Sequence, residues 1–372
     1  MKNTITLAGA LTLAATGAMA GGIERTNQSV GILFEKADNY LEFNMGAFNP
    51  SVTGVAIAPL GGAASGDMAG NYTALSFGYK KSINDKLDFA LIYDQPIGAD
   101  VDYPAGTGYV IQGSTAEIKS DALTALLRYK LPSNVSLIGG VRALRTSGVA
   151  DLTVLVNHPV LGPMNTAYAL RSSKELDFGY VLGVAWEKPE IAARVALTYN
   201  SAITHDFTSK LETSLVAGAD NMFETEVPQS VNLEFQTGVA KDTLLFGSVR
   251  WVDWTAFVLD PKGYSATYGD PLEYYTDDVI TYTLGLGRKF SDNWSGAVVY
   301  GYEKHEGGTT GNLGPTDGFK SLGLAATYTR DNLKLTAGVR YVDIGNAVTR
   351  SYNSQFKDNS GWGAGLRIGY SF

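Results

Sequence analysis

Residues 38–48 read DNYLEFNMGAF, with Leu41, Phe43, Met45 and Ala47 alternating against Tyr40, Glu42, Asn44 and Gly46. Successive side chains of an extended strand point to opposite faces, so this stretch has one apolar side and one polar side. The pattern recurs along the whole chain. Apolar rows follow at Leu75, Phe77 and Tyr79, at Leu87, Phe89, Leu91 and Tyr93, and at Leu123, Ala125, Leu127 and Tyr129. Further rows include Phe178 to Trp186, Ile191 to Tyr199, Val231 to Val239, Tyr282 to Leu286 and Leu333 to Tyr341. The last is Trp362, Ala364, Leu366, Ile368, Tyr370 and Phe372. Aromatic residues at row ends suit a membrane-interface belt.

The faces opposite these rows carry Gly, Ser, Thr, Asn and charges, as a filled or wet barrel lumen requires. A soluble β sandwich alternates too, and the connections separate the two readings. Six connections are short and polar: Ser82 to Asp85, Pro132 to Asn134, Glu187 to Glu190, Lys241 to Thr243, Ser291 to Asn293 and Arg330 to Asn332. They alternate with seven long ones, near residues 49–70, 95–114, 151–167, 200–228, 258–275, 307–316 and 349–360. Short turns on one side and long loops on the other mark an outer-membrane barrel, and thirteen connections join fourteen strands, which leaves both ends on the periplasmic side. The extended stretch Phe207 to Val216 is assigned to the fourth long loop, as a prolongation of a strand above the membrane.

Composition agrees. The chain has 372 residues, 43 Gly, 21 Tyr, 15 Phe, 5 Trp and no Cys, with a formal charge of −8. Lack of Cys excludes disulfides and thiolate metal sites, and the negative charge disfavours a nucleic-acid partner. A mean hydropathy of −0.03 suggests a soluble protein, and the lack of an apolar run of about eighteen residues beyond the first twenty excludes a helical membrane protein. Lys2, the apolar run from Ile5 to Ala15 and Ala18-Met19-Ala20 read as a secretory signal over residues 1–20. The expected organisation is therefore a signal peptide (1–20), a short N-terminal plug (21–37) and an all-β, fourteen-stranded antiparallel transmembrane barrel (38–372).

Four stretches resemble the FadL-type long-chain fatty-acid outer-membrane transporters: YLEFNMGAFNPSVTG (40–54), FALIYDQPIGADVDYP (89–104), GYVLGVAWEKPEIAARVALTYNSAITHDF (179–207) and 227–257 with WVDWTAF near its end. The resemblance implies a fourteen-stranded barrel with an N-terminal plug in its lumen. It also implies a longer hatch with an Asn-Pro-Ala motif, whereas only about seventeen residues precede the first strand here and that motif is missing. On this basis the protein is expected to be a passive transporter of hydrophobic molecules, long-chain fatty acids first, captured by outer loops. A general aqueous porin and an aromatic-hydrocarbon uptake channel are the alternatives. The expected partners are a hydrophobic small molecule and outer-membrane lipid.

Candidate ligand contacts begin with the plug cluster Ile32, Leu33 and Phe34, whose other reading is packing against the lumen wall. Two apolar outer loops add Ile97, Val101 and Tyr103, and Phe207 and Leu211; the resemblance implies that they pack together over the lumen as a capture groove. Alternation turns Arg128, Arg142, Arg194, Arg250, Arg340 and Arg367 inward, together with Glu42, Asp88 and Glu234. Arg142 and Arg250, at mid-strand, are the best placed to bond a carboxylate, although lumen charges also pair across a barrel. At Asp94-Gln95-Pro96 the proline lacks the N–H a ladder needs, so pairing should stop there. In the resembling family a kink in this strand opens a lateral exit; the other reading, which the sequence alone favours, is that Pro96 merely ends the strand above the membrane. His158, His205 and His305 show no metal spacing, and His205 and Asp206, being adjacent on a strand, face opposite ways. No catalytic residue, metal or cofactor is expected.

Overall fold

The computed structural model describes residues 22–26, 28–158, 162–211 and 221–372, so the signal segment expected over residues 1–20 lies outside the described residues. Fourteen long strands follow one another around a closed ring. They are β1 (Asn39–Ser51), β2 (Tyr72–Asn84), β3 (Leu87–Asp94), β4 (Thr115–Lys130), β5 (Val135–His158), β6 (Glu175–Lys188) and β7 (Ala193–Asn200). The second half comprises β8 (Ser230–Ala240), β9 (Thr243–Val252), β10 (Val279–Lys289), β11 (Trp294–Glu303), β12 (Phe319–Arg330), β13 (Leu333–Ile344) and β14 (Asn359–Ser371). Each pairs antiparallel with its sequence neighbours, and β1 pairs with β14 from Tyr40–Ser371 to Ser51–Ser360, which closes the barrel. The turns expected to be tight are tight. Asn134, Asp242 and Asp331 occupy them with φ of 61°, 57° and 51°, a left-handed conformation that short polar side chains tolerate.

Side-chain orientation follows the alternation. Phe178 is 70% exposed, Leu284 51% and Trp362 60% on the outer surface, while all six inward arginines are buried. The apolar outside is what a hydrocarbon surround requires, and no helix among the described residues is long and apolar enough to cross a membrane.

Above the barrel rim the structure departs from the loop assignment. Residues 151–167, read as a loop, are largely strand, because β5 continues to His158 and returns as Gly162–Ser172. Within 200–228, Ile203–Leu211 pairs with Asn221–Val227 and, at its far end, with Gly162–Ser172. The physical cause is a change of sides: in the membrane the odd residues Leu137 and Val141 face outward, whereas higher up the even residues Leu152 and Val154 turn inward and are buried under the loops. Of the extended stretch 207–216, residues 212–216 lie outside the described residues.

Candidate functional site

The N-terminal segment runs inside the barrel and is tied to its wall at nearly every residue. Its lower part is a single short turn, Gly31–Phe34, opened by Ser29, whose Oγ accepts the Gly31 amide at 3.0 Å and donates to Glu234 Oε1 at 2.6 Å. Val30, Ile32, Leu33 and Phe34 are buried against inward apolar residues of the wall, Ala90, Leu126, Ile138 and Val181 among them. Packing against the wall is thus where this cluster goes. Phe34 sits between two guanidinium groups, with Arg128 4.3 Å and Arg194 4.4 Å from its ring centroid. Each such contact contributes about 0.5–2 kcal/mol, more as water is excluded. Gly78 makes the fit possible, since a Cβ there would lie 2.5 Å from Ile32 Cδ1.

Higher up, the segment meets the charged lumen. Glu24 accepts from Arg250 Nε at 2.9 Å and Nη2 at 2.6 Å, a forked charge-assisted pair. Arg142 donates to Gln28 and to Thr124, and Thr26 Oγ1 donates to Asp94 Oδ2 at 3.2 Å. The two arginines singled out by position therefore hold the plug in this state. Elsewhere in the lumen, Arg367 pairs with Glu42, and Arg128 with Glu187 and Asp88.

The wall is interrupted where Pro96 stands. The β2–β3 ladder ends at Phe77–Tyr93 and resumes in the same register at an isolated bridge, Ala69–Val101, leaving residues 71–76 facing 94–99 without backbone pairing. On its other side the broken strand stays joined to β4, with Asp94 opposite Ala122 and Gly98 opposite Lys119. The result is a slot bounded above and below. Gln95 Oε1 accepts the Leu75 amide at 3.0 Å and bridges it. The plug uses the freed backbone: Arg25 N donates to Pro96 O at 2.8 Å, and Gly98 N donates to Ile23 O at 2.9 Å. A cavity beside the plug is lined by interior residues Ile32, Asp94 and Arg142 and also by Met45, Leu75 and Phe77, which face the membrane side.

A second, far more apolar cavity lies under the outer loops, with about 850 Å³ of free space including its open side. Ile97, Val101 and Phe207 come together on it, with Ile23 of the plug at one edge. Tyr103 does not join them; it is fully buried, stacked on Tyr109 at 5.4 Å, with its hydroxyl on Asn312 O at 2.6 Å. The side chain of Leu211 lies outside the described residues. Two cavity residues had no motif to reveal them. Thr225 lies opposite His205 in the Ile203–Leu211 and Asn221–Val227 pair, which only the alternation of Ile203, His205, Phe207 with Phe223, Thr225, Val227 would have disclosed. Glu273, in the loop after β9, is buried; burial pushes its carboxyl up to about 7, moderated by the Leu313 amide and Arg350. Among the described residues no cluster of His, Cys, Asp or Glu could hold a metal.

Comparison with known proteins fits this architecture. No curated sequence matches the chain. Among solved structures, a Pseudomonas aeruginosa FadL homologue aligns over 97% of this chain and 98% of its own at 16% identity, with a TM-score of 0.76. The Pseudomonas putida toluene transporter TodX aligns over 97% and 99% at 12% identity and a TM-score of 0.65, and the Ralstonia pickettii toluene transporter TbuX over 97% and 99% at 12% and 0.61. The family model described as outer membrane protein transport protein (OMPP1/FadL/TodX) matches residues 9–367. With nearly its whole length matched and the plugged fourteen-stranded barrel in place, the chain belongs to this FadL/TodX family of outer-membrane transporters for hydrophobic molecules.

Proposed function

We propose that the protein takes up a lipophilic molecule passively, through three stations: capture among the outer loops at Ile97, Val101 and Phe207, passage along the plug at Ile32 to Phe34, and exit sideways through the slot at Asp94-Gln95-Pro96. The observation that carries this reading is the cavity beside the plug, whose lining includes both the lumen residues Ile32 and Arg142 and the membrane-facing Leu75 and Phe77. A hydrophobic molecule leaving there enters lipid and never crosses bulk water, which avoids the cost of exposing its apolar surface. In this reading flow follows the concentration gradient.

Long-chain fatty acids are the first substrate reading, with the carboxylate on Arg142 or Arg250 once the plug releases them. Aromatic hydrocarbons are the second. One observation favours an uncharged substrate at the outer station: among the described residues, no Lys or Arg lines the outer cavity. The test is uptake of labelled oleate and labelled toluene by cells lacking their own transporters, expressing this chain or an empty vector, with surface expression confirmed. Uptake of either above vector supports the reading. Uptake of neither, with steady open channels in a planar bilayer, replaces it with an aqueous pore.

A further inference from the structure

The outer cavity is mostly apolar, and one polar band crosses it between two strands. Two adjacent strands present Ile203, His205 and Phe207 opposite Val227, Thr225 and Phe223. Phe207 and Phe223 stack at 5.3 Å and close the band on one side, while Ile203 and Val227 close it on the other. Within the band His205 is fully buried and both its ring nitrogens are engaged, Nδ1 2.7 Å from Asp177 Oδ2 and Nε2 3.1 Å from Thr146 Oγ1. That satisfies Thr146 as well. Thr225 is the exception: it is only 6% exposed, it lines the cavity, and its Oγ1 has no hydrogen-bond partner. A buried hydroxyl left unpaired is costly, and a site containing one discriminates strongly in favour of a ligand that pairs it.

Charge narrows the ligand further. An anionic headgroup brought into this cavity would lose its hydration and meet no Lys or Arg among the described lining residues, while Glu117 and Glu273 stand on the same lining. A pure hydrocarbon would fill the space yet leave Thr225 unpaired. Resting on the uptake function proposed above, we infer that the outer cavity selects an uncharged lipophile bearing a hydroxyl group, a phenol or an alcohol, whose polar end bonds Thr225 Oγ1 while its apolar body lies against Phe207, Phe223 and Val101. Thr225 is then the residue that sets preference among hydrophobic substrates.

The experiment compares three probes of one skeleton, p-cresol, toluene and 4-methylbenzoate, binding to the full barrel in lipid nanodiscs at neutral pH, with empty nanodiscs subtracted. The expected order is p-cresol tightest, toluene weaker and 4-methylbenzoate weakest. Thr225→Val, nearly isosteric but without the hydroxyl, should weaken p-cresol roughly tenfold and leave toluene unchanged or slightly tighter. Thr225→Ser, which restores the hydroxyl, should return p-cresol toward its original affinity and guards against a folding artefact. The inference is overturned if Thr225→Val shifts p-cresol and toluene alike or neither, or if 4-methylbenzoate binds as tightly as p-cresol. Toluene binding without any preference for p-cresol overturns only the selectivity. Binding of none of the three overturns the selectivity, and the oleate and toluene uptake assay then decides separately whether hydrophobic transport stands.

Discussion

Arg25 and Pro96 share a backbone hydrogen bond of 2.8 Å, from the plug's amide to the carbonyl of the residue at which the third strand's pairing fails. The break in the wall is therefore also a docking point for the plug. Any displacement of Ile23 to Thr26 removes bonds from one rim of the slot, so plug movement and slot geometry change together.

If the slot is the exit, filling it should stop transport without unfolding the barrel. Ala74 is buried on the β2 rim of the unpaired region and lines the cavity there. Ala74→Trp is expected to bring uptake of a labelled lipophile close to the empty-vector level while the barrel keeps its heat-modifiable gel mobility. Undiminished uptake would rule out this exit.

The Glu24–Arg250 pair should hold the plug's upper half in place. Glu24→Gln leaves the buried Arg250 without its anionic partner and is expected to weaken plug docking by about 2–5 kcal/mol. The readouts are greater single-channel conductance and faster trypsin cleavage after Arg25. Glu24→Gln with Arg250→Met should dock better than Glu24→Gln alone, because no charge is then stranded.

Phe34 should anchor the plug's lower half. Truncation to Ala removes a buried ring and both guanidinium contacts, an expected loss of about 3–5 kcal/mol from plug packing. Deleting Ile32 to Phe34 should act in the same direction and change ligand affinity or transport. Unchanged values for both, in a barrel shown to fold, would remove the plug from the mechanism.

Glu273 should make the outer loops sensitive to pH. Its carboxyl is raised to about 7 from an ordinary 4.5, so the folded loop retains a proton that the unfolded loop releases. The stabilisation is fully present below about pH 4.5 and is lost as pH rises through about 7, on the order of a few kcal/mol locally. Protection of the amides around Leu313, measured relative to their intrinsic base-catalysed exchange, should fall between pH 5 and pH 8, and Glu273→Gln should remove that fall.

Most of the barrel was legible because lipid on one side and lumen on the other impose the same alternation on every spanning strand, as at Phe43 with Glu42 or Leu127 with Arg128. The rule weakens where lipid ends. Leu152 and Val154 keep the period but bury on the opposite side, so a criterion based on outward apolar rows treats Asp151 to Ala167 as loop. The inward direction of Arg142 and Arg250 was also readable, since it depends only on parity. Their partners were not: Gln28 and Glu24 reach them through the barrel's closure from distant parts of the chain, and no local pattern encodes that meeting. Thr225 and Glu273 are ordinary residues in polar stretches, and only the folded loops turn them toward an apolar space.

The seam between β1 and β14 carries a consequence for assembly. Tyr40 stands opposite Ser371, so the ring gains its final pairing from the two segments farthest apart along the chain. The plug leads directly into β1, yet its contacts run around the wall, from Gly78 on β2 through β3 and β4, Arg142 on β5, Val181 on β6, β7 and β8 to Arg250 on β9. In the closed ring the wall surrounds it on every side. A barrel lacking β14 would present two bare strand edges and leave the N-terminal segment unenclosed, prone to sticking to other chains. The same seam that completes the ring thus also completes the enclosure of the lumen in which the plug lies.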